Sequence, residues 1–107
     1  PTVSLAAAGK TWPATVDTGF NGDLELPLEL RARIKARFSG RVRSRLANGQ
    51  YVEEDNYTLQ FSFDGEAVRA HATFAPVREI LVGTRLLRRH RLQIDFVRRS
   101  LLLEKAI

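Results

Sequence analysis

One carboxylate in the sequence stands where it could do chemistry. Asp17 ends an apolar alternating segment that includes Ala14 and Val16, and it is followed by Thr18 and Gly19. A carboxylate at the end of a buried strand loses hydration unless it is paired or hydrogen-bonded. Gly19 permits a tight turn, and Thr18 offers a hydroxyl that could anchor it. Taken alone, however, an Asp-Thr-Gly tripeptide is more often an ordinary Asx turn, in which the aspartate bonds its own backbone.

The sequence pattern around this carboxylate predicts β-structure. Glycines punctuate the chain, and the segments between them alternate in polarity with a period of two. Asn48-Gly49 is a strong hairpin signal because both residues tolerate a positive φ. The pattern predicts a first hairpin over residues 3–16, a second over 42–52 with its tip at Ala47, Asn48 and Gly49, and a meander over 57–74 that turns at Asp64-Gly65.

Two segments are less regular. Alternation runs on from Leu24 to Phe38, but a helix competes over residues 28–37 because Leu30 and Ile34 form an i,i+4 pair. Near the end, Ile80–Val82 is a short apolar run typical of a buried strand, and Thr84 could cap a short helix over 86–89. Residues 92–96 alternate again, the chain turns at Arg98-Arg99, and residues 101–103 predict a last strand.

Composition excludes several kinds of function. The 107 residues suit one domain over 1–107, and with no cysteine there is no thiolate metal ligand or cysteine nucleophile. His71 and His90 have no clear partner ligands, so we expect neither metal nor cofactor. The net charge of +5 could attract nucleic acid, but acidic residues are interspersed throughout, so solvated arginines are the better explanation.

Targeting signals are absent from the sequence. No apolar run approaches the length of a membrane span, and no signal peptide is visible at the start. We therefore expect a cytoplasmic protein without a membrane segment, and the sequence leaves an upstream targeting or anchor segment open. The missing initiator Met suggests trimming from a longer precursor.

Three segments together resemble the bacterial retropepsin-like aspartic proteases that carry Phe after Asp-Thr-Gly. Ala14–Pro27 is similar to the active-site strand of that family, Ile80–Leu87 to its apolar triplet followed by Gly and a helix, and Leu92–Leu103 to its closing strands. They occur in the family's order, and the resemblance covers about residues 3–103. It implies an all-β fold, a closed retropepsin-like β-barrel with one short C-terminal helix.

The resemblance also implies an activity. Retropepsins are homodimers in which each protomer supplies one Asp-Thr-Gly, so a chain with a single motif would hold half of a site. Asp17 would be the catalytic carboxylate of an aspartic endopeptidase that cleaves peptides or unfolded proteins, while Thr18 and Gly19 support the active-site loop. The two carboxylates would share one proton and activate a water without metal or covalent intermediate.

Substrate contacts follow from the same resemblance. Phe20, Asn21 and Val82 would line the groove, and the hairpin tip at Ala47, Asn48 and Gly49 would be the flap that closes over an extended peptide. The chain departs from the family at Arg85, where Asp or Asn is common, and at Phe20, where retroviral enzymes have Ala.

Two other functions compete with this one. The first is a catalytically silent relative that keeps the fold as a dimerisation or peptide-binding module. The second is a basic nucleic-acid-binding β-domain, which would need aromatic residues interleaved with arginine on one sheet face. Tyr57, Phe61 and Phe63 alternate with little basic charge nearby, so we expect no nucleic-acid partner.

Overall fold

A computed structural model describes residues 2–7, 9–63 and 65–106 of the chain. These residues form an all-β structure of nine strands: β1 (Thr2–Ala7), β2 (Lys10–Val16), β3 (Leu24–Pro27), β4 (Arg37–Arg45), β5 (Tyr51–Phe63), β6 (Glu66–Ala75), β7 (Ile80–Val82), β8 (His90–Asp95) and β9 (Ser100–Lys105). The predicted first hairpin, the meander, the buried strand at Ile80–Val82 and the closing pair of strands are all confirmed.

Six of the strands close into a barrel. Their order is β1-β2-β7-β3-β6-β5, and β5 pairs back with β1 through Leu5 and Phe63. Two of the contacts are parallel, β2 with β7 and β3 with β6, and the others are antiparallel. β4 extends from the outer edge of β5, while β8 and β9 form a separate hairpin. The closed fold predicted from the sequence is therefore confirmed.

Strand alternation places the core inside the barrel. On β5, Leu59, Phe61 and Phe63 are buried while the residues between them are more exposed. Leu24, Leu26 and Val82 are the largest fully enclosed side chains. Burying each side chain of this size contributes about 1.5–3 kcal/mol. These residues fix the short strands β3 and β7, which flank the candidate site.

Both hairpin turns lie where the sequence predicts them. The tip between β4 and β5 turns through Asn48 and Gly49, whose φ is 86°. Asn48 Oδ1 accepts a hydrogen bond from the backbone N–H of Gln50 at 3.0 Å, which fixes the turn. Gly65, with a φ of 76°, lies at the next turn, and its predicted partner Asp64 is outside the described residues.

Two local predictions are wrong. Residues 28–37 form neither a continuous strand nor an α-helix: a 3-10 turn at Leu28–Leu30 follows β3, and the chain then turns so that Leu30 and Ile34 enter the core. The short helix expected at 86–89 is a run of turns, in which His90 N–H bonds to Leu87 O at 2.8 Å. In both places i→i+3 bonds bring an apolar residue inward, and a single i→i+4 bond, from Ile34 N–H to Leu30 O, is not continued into an α-helix.

The C-terminal hairpin is attached to the barrel at several points. Leu92, Leu101 and Leu103 pack against the barrel core. Lys105 on β9 forms an ion pair with Glu66 on β6. Within the hairpin, Ala106 N–H donates to Arg89 O at 2.8 Å and continues the pairing of β8 with β9. Among the described residues, no helix is long and apolar enough to cross a membrane.

Candidate active site

Asp17 lies at the point where β2 leaves the barrel. Its backbone N–H donates to Val82 O at 2.9 Å, which continues the parallel pairing of β2 with β7 by one residue. Its side chain is half-buried, and Oδ1 accepts a hydrogen bond from Gly19 N–H at 2.9 Å. This is the geometry of an Asx turn. The Asx turn that the tripeptide alone predicts is therefore present in the structure. The turn orients the carboxylate and leaves Oδ2 outside that bond.

A second loop crosses the Asp17 loop and binds it through the backbone. Thr84 N–H donates to Phe20 O at 2.8 Å, and the Thr84 hydroxyl donates to the same oxygen at 3.3 Å. Gly83 N–H donates to Asp23 O at 2.9 Å. The loop that follows β7 therefore holds both ends of the segment between Asp17 and β3.

This crossing depends on two glycines. A Cβ at Gly83 would lie 2.1 Å from Gly22 O and 2.8 Å from Phe20 O, so a side chain there would displace backbone. A Cβ at Gly22 would lie 2.7 Å from Phe20 Cζ. The Phe20 ring thus packs over Gly22, and the two loops touch backbone to backbone.

A groove runs from this crossing toward the hairpin of β4 and β5. Its volume is about 730 Å³, and residues 20–25 line one side while Val42, Arg45, Glu54 and Asn56 line the other. Phe20 and Asn21 therefore lie on the groove, as the sequence predicts. The predicted flap tip is exposed and outside the groove lining, at Ala47, Asn48 and Gly49.

Val82 and Thr18 lie at opposite extremes of exposure. Val82 is 0% exposed, so its side chain packs in the barrel core. Its neighbour Leu81 is half-buried and points to the other face of β7. Thr18 is exposed beside Asp17.

Sequence reasoning missed two acidic residues on the groove. Asp23 is only 7% exposed, and its Oδ2 accepts a hydrogen bond from the backbone N–H of His71 at 2.9 Å. Glu25, two residues further along, is half-buried. Burial raises the pKa of the Glu25 carboxyl, and the negative charges of Glu54 and Asp17 raise it further. The sequence does contain a signal for these residues, namely two acids at i,i+2 spacing beside leucines that are buried. Their environment could not be predicted from it, because the residues around Asp23 and Glu25 come from distant strands.

Metal ligands do not cluster in the part of the chain described here. No group of three or more His, Asp or Glu side chains lies close enough to hold an ion within residues 2–7, 9–63 and 65–106.

Solved structures share the fold. The solution structure of Simian Foamy Virus (mac) protease is similar to this chain with a TM-score of 0.61 and 21% identity, over 82% of this chain and 92% of that one. The chain has a retropepsin-like fold. A second structure, foamy viral protease-reverse transcriptase in complex with RNA/DNA hybrid, is similar over 88% of this chain with a TM-score of 0.63 and 16% identity. The chain spans 13% of that longer protein.

At these sequence identities, the similarity shows the retropepsin-like fold and does not show an activity. No protein-family model matches the sequence, and no curated protein matches it significantly. The bacterial Asp-Thr-Gly-Phe subgroup stays a prediction. Asp17 lies at the crossing of two loops, and the segment that follows it, residues 20–25, lines an open groove.

Proposed function

We propose that the chain is one protomer of a homodimeric aspartic endopeptidase whose catalytic residue is Asp17. The observation that carries the proposal is the position of this carboxylate. It sits in a loop that backbone hydrogen bonds join to a second loop, its side chain is half-buried, and a groove of about 730 Å³ begins at Phe20 on the same loop. A rigid loop that holds a carboxylate at a groove is suited to orienting a water molecule against a bound peptide.

Dimerisation is part of the proposal because one carboxylate is half of the required site. The chain contains a single Asp-Thr-Gly. In a two-fold dimer the same patch meets its own copy, so two Asp17 side chains would face each other across the axis. Thr18, exposed next to Asp17, would then lie at this contact and support the partner loop.

The chemistry follows from placing two carboxylates close together. They cannot both ionise cheaply, so the pair shares one proton. The charged member acts as general base on a water that attacks the peptide carbonyl carbon, while the protonated member polarises the carbonyl oxygen. A proton then passes to the leaving amine as the C–N bond breaks.

The hairpin of β4 and β5 would serve as the flap. It projects from the barrel, because β4 pairs with β5 alone. Val42, Arg45 and Glu54 from this hairpin already line the groove. Closing the tip at Ala47–Gly49 over a peptide would exclude water, and an extended peptide could bond to exposed backbone groups.

The deciding experiment compares Asp17→Asn with the wild type. Cleavage of a denatured protein substrate is followed by mass spectrometry, and the dimer is followed by sedimentation. We expect cleavage to be lost while the fold and the dimer persist, because Asn preserves shape and removes the general base. Undiminished cleavage by the variant would rule out Asp17 as the catalytic residue.

The same experiment separates the enzyme from a silent peptide-binding module. A module would bind unfolded peptides equally well with and without the Asp17→Asn substitution and would cleave none. A wild-type protein that forms dimers and never cleaves would therefore favour the module.

A further inference from the structure

Glu25 shares a face of the barrel with Asp17. Leu81 on β7 pairs with Thr15 on one side and with Glu25 on the other. Residues paired across strands project to the same face, and Asp17 follows Thr15 by two positions. Glu25 and Asp17 therefore lie on the same face of the sheet, where Glu25 lines the groove. Burial raises the pKa of Glu25, and the charges of Glu54 and Asp17 raise it further.

Glu25 and Glu54 are two acids without a cation. Neither carboxylate is in an ion pair with a described residue. The neighbouring acids on β5 differ, since Glu53 and Asp55 both bond to Arg41, at 3.7 and 3.4 Å. Two unpaired like charges at a partly buried position disfavour folding, and such local conflicts concentrate at functional sites.

Arg31 lies near these acids and has other contacts. The Arg31 guanidinium lies over the rings of Tyr57 and Phe74 and donates to Tyr57 Oη at 3.0 Å. Three other basic side chains line the groove, namely Arg45, His71 and Arg85. No basic group figures among the causes that shift the Glu25 pKa. The protein has a net charge of +5, so this acidic spot is a local exception.

The space beside these acids has the shape of a side-chain pocket. A cavity of about 330 Å³ adjoins the groove through the two glutamates, and it is lined by Glu25, Arg31, Glu54, Asp55, Tyr57, Phe74, Ala75 and Pro76. The Arg31 guanidinium already lies over the two rings, so a long side chain in this cavity would lie beside Arg31 and the rings. The two unpaired carboxylates suit a cationic end.

A buried acceptor on the same groove is also unsatisfied. Asp23 is 7% exposed and lines the groove, and its Oδ1 has no hydrogen-bond partner among the described residues. A buried carboxylate oxygen without a donor is costly, and a donor brought by a bound molecule would remove that cost. Asp23 lines the groove and not the smaller cavity, so it marks the groove, independently of Glu25 and Glu54, as a place that lacks a hydrogen-bond donor.

Resting on the endopeptidase activity proposed above, we infer that Glu25 and Glu54 form a subsite for a Lys or Arg side chain of the substrate, close to the scissile bond. The ammonium or guanidinium group lies between the two carboxylates and neutralises their repulsion. The substrates are thus basic peptides or unfolded segments with a cation near the cleaved bond. Glu25 is the specificity-determining residue, because it faces both the pocket and Asp17.

Binding tests this inference without catalysis. Asp17→Asn protein is titrated into fluorescent unstructured peptides that differ only in a central Lys, Gln or Glu. We expect the Lys peptide to bind about tenfold more tightly than the Gln peptide, since a charge-assisted hydrogen bond of this kind contributes about 1.5 kcal/mol. The double variant Asp17→Asn, Glu25→Gln should lose this preference, whereas Asp17→Asn, Glu53→Gln should keep it. Equal affinity for the Lys and Gln peptides would overturn the inference.

Cleavage mapping gives the second readout. The wild type digests a denatured protein mixture, and mass spectrometry locates the cleaved bonds. We expect Lys and Arg to be enriched at one fixed position from those bonds, with the enrichment lost in Glu25→Gln and retained in Glu53→Gln. Cleavage without any basic preference overturns the subsite alone. Absence of cleavage, with Lys-selective binding intact, overturns the endopeptidase and leaves the subsite standing.

Discussion

Gly83 and Gly22 touch through their backbones, so closely that a Cβ on Gly83 would lie 2.1 Å from Gly22 O. The contact joins the loop after β7 to the loop that carries Asp17. Three backbone hydrogen bonds, from Gly83, Thr84 and Arg85, join the same two loops. The position of Asp17 is therefore set by backbone geometry that only glycine permits at residue 83.

Replacing Gly83 with alanine should both destabilise the protein and displace Asp17. We expect Gly83→Ala to lower the free energy of unfolding by about 3 kcal/mol, since the clash is with backbone and cannot be relieved by a rotamer change. Gly49→Ala is the control: its site is open, and only its φ of 86° is strained. That variant should cost about 1–2 kcal/mol. Urea denaturation measures both, and equal losses would show that the loop crossing tolerates a side chain.

Asp23 should stabilise the fold through one hydrogen bond. Its Oδ2 accepts from the backbone N–H of His71, across from β3 to β6. Asp23→Ala leaves that N–H without an acceptor, at a cost of about 1–3 kcal/mol. Asp23→Asn keeps an acceptor oxygen and should cost less. The free energy of unfolding of the two variants, measured by urea denaturation, tests this order, and a larger loss for Asn would contradict it.

Local signals explain what the sequence could predict. The Asn48-Gly49 turn, the alternation of Leu59, Phe61 and Phe63, and the Asp17-Thr18-Gly19 turn each depend on a few adjacent residues. Propensity and period therefore suffice for them. The order of such segments indicated an all-β chain, and the family resemblance implied the closed barrel.

Long-range contacts explain which features the sequence could not predict. The segment after Pro27 has both the alternation of a strand and the i,i+4 pairs of a helix. It forms turns, because Leu30 and Ile34 are buried against the barrel. Glu25 is an unremarkable surface acid in the sequence. Its neighbours Glu54 and Asp17 are brought to it by separate strands and loops, so its environment depends on tertiary packing alone.

Mixing protomers tests whether each site needs two chains. When equal amounts of wild type and Asp17→Asn exchange freely, homodimers of the wild type make up about a quarter of all dimers. If one Asp17 per dimer is insufficient, activity should fall to about a quarter of that of an all-wild-type sample at the same total concentration. Activity of about one half would mean that each protomer acts alone. Mass spectrometry of isotope-labelled protomers verifies that exchange has occurred.

The raised pKa of Glu25 predicts how stability depends on pH. The folded protein binds this proton more tightly than the unfolded chain, whose glutamate has the ordinary value of 4.5. The resulting stabilisation is fully present below pH 4.5 and is lost as the pH rises through the raised pKa. Glu25→Gln removes this dependence, so the variant should gain stability relative to the wild type between pH 4.5 and 7. The gain should stay below about 1 kcal/mol because solvent screens the partly exposed carboxylate.

Urea denaturation at both pH values measures it, with Glu53→Gln, which loses an ion pair to Arg41, as the control. A difference between the wild type and Glu25→Gln that stays constant over this range would show that Glu25 has the same pKa in the folded and unfolded states.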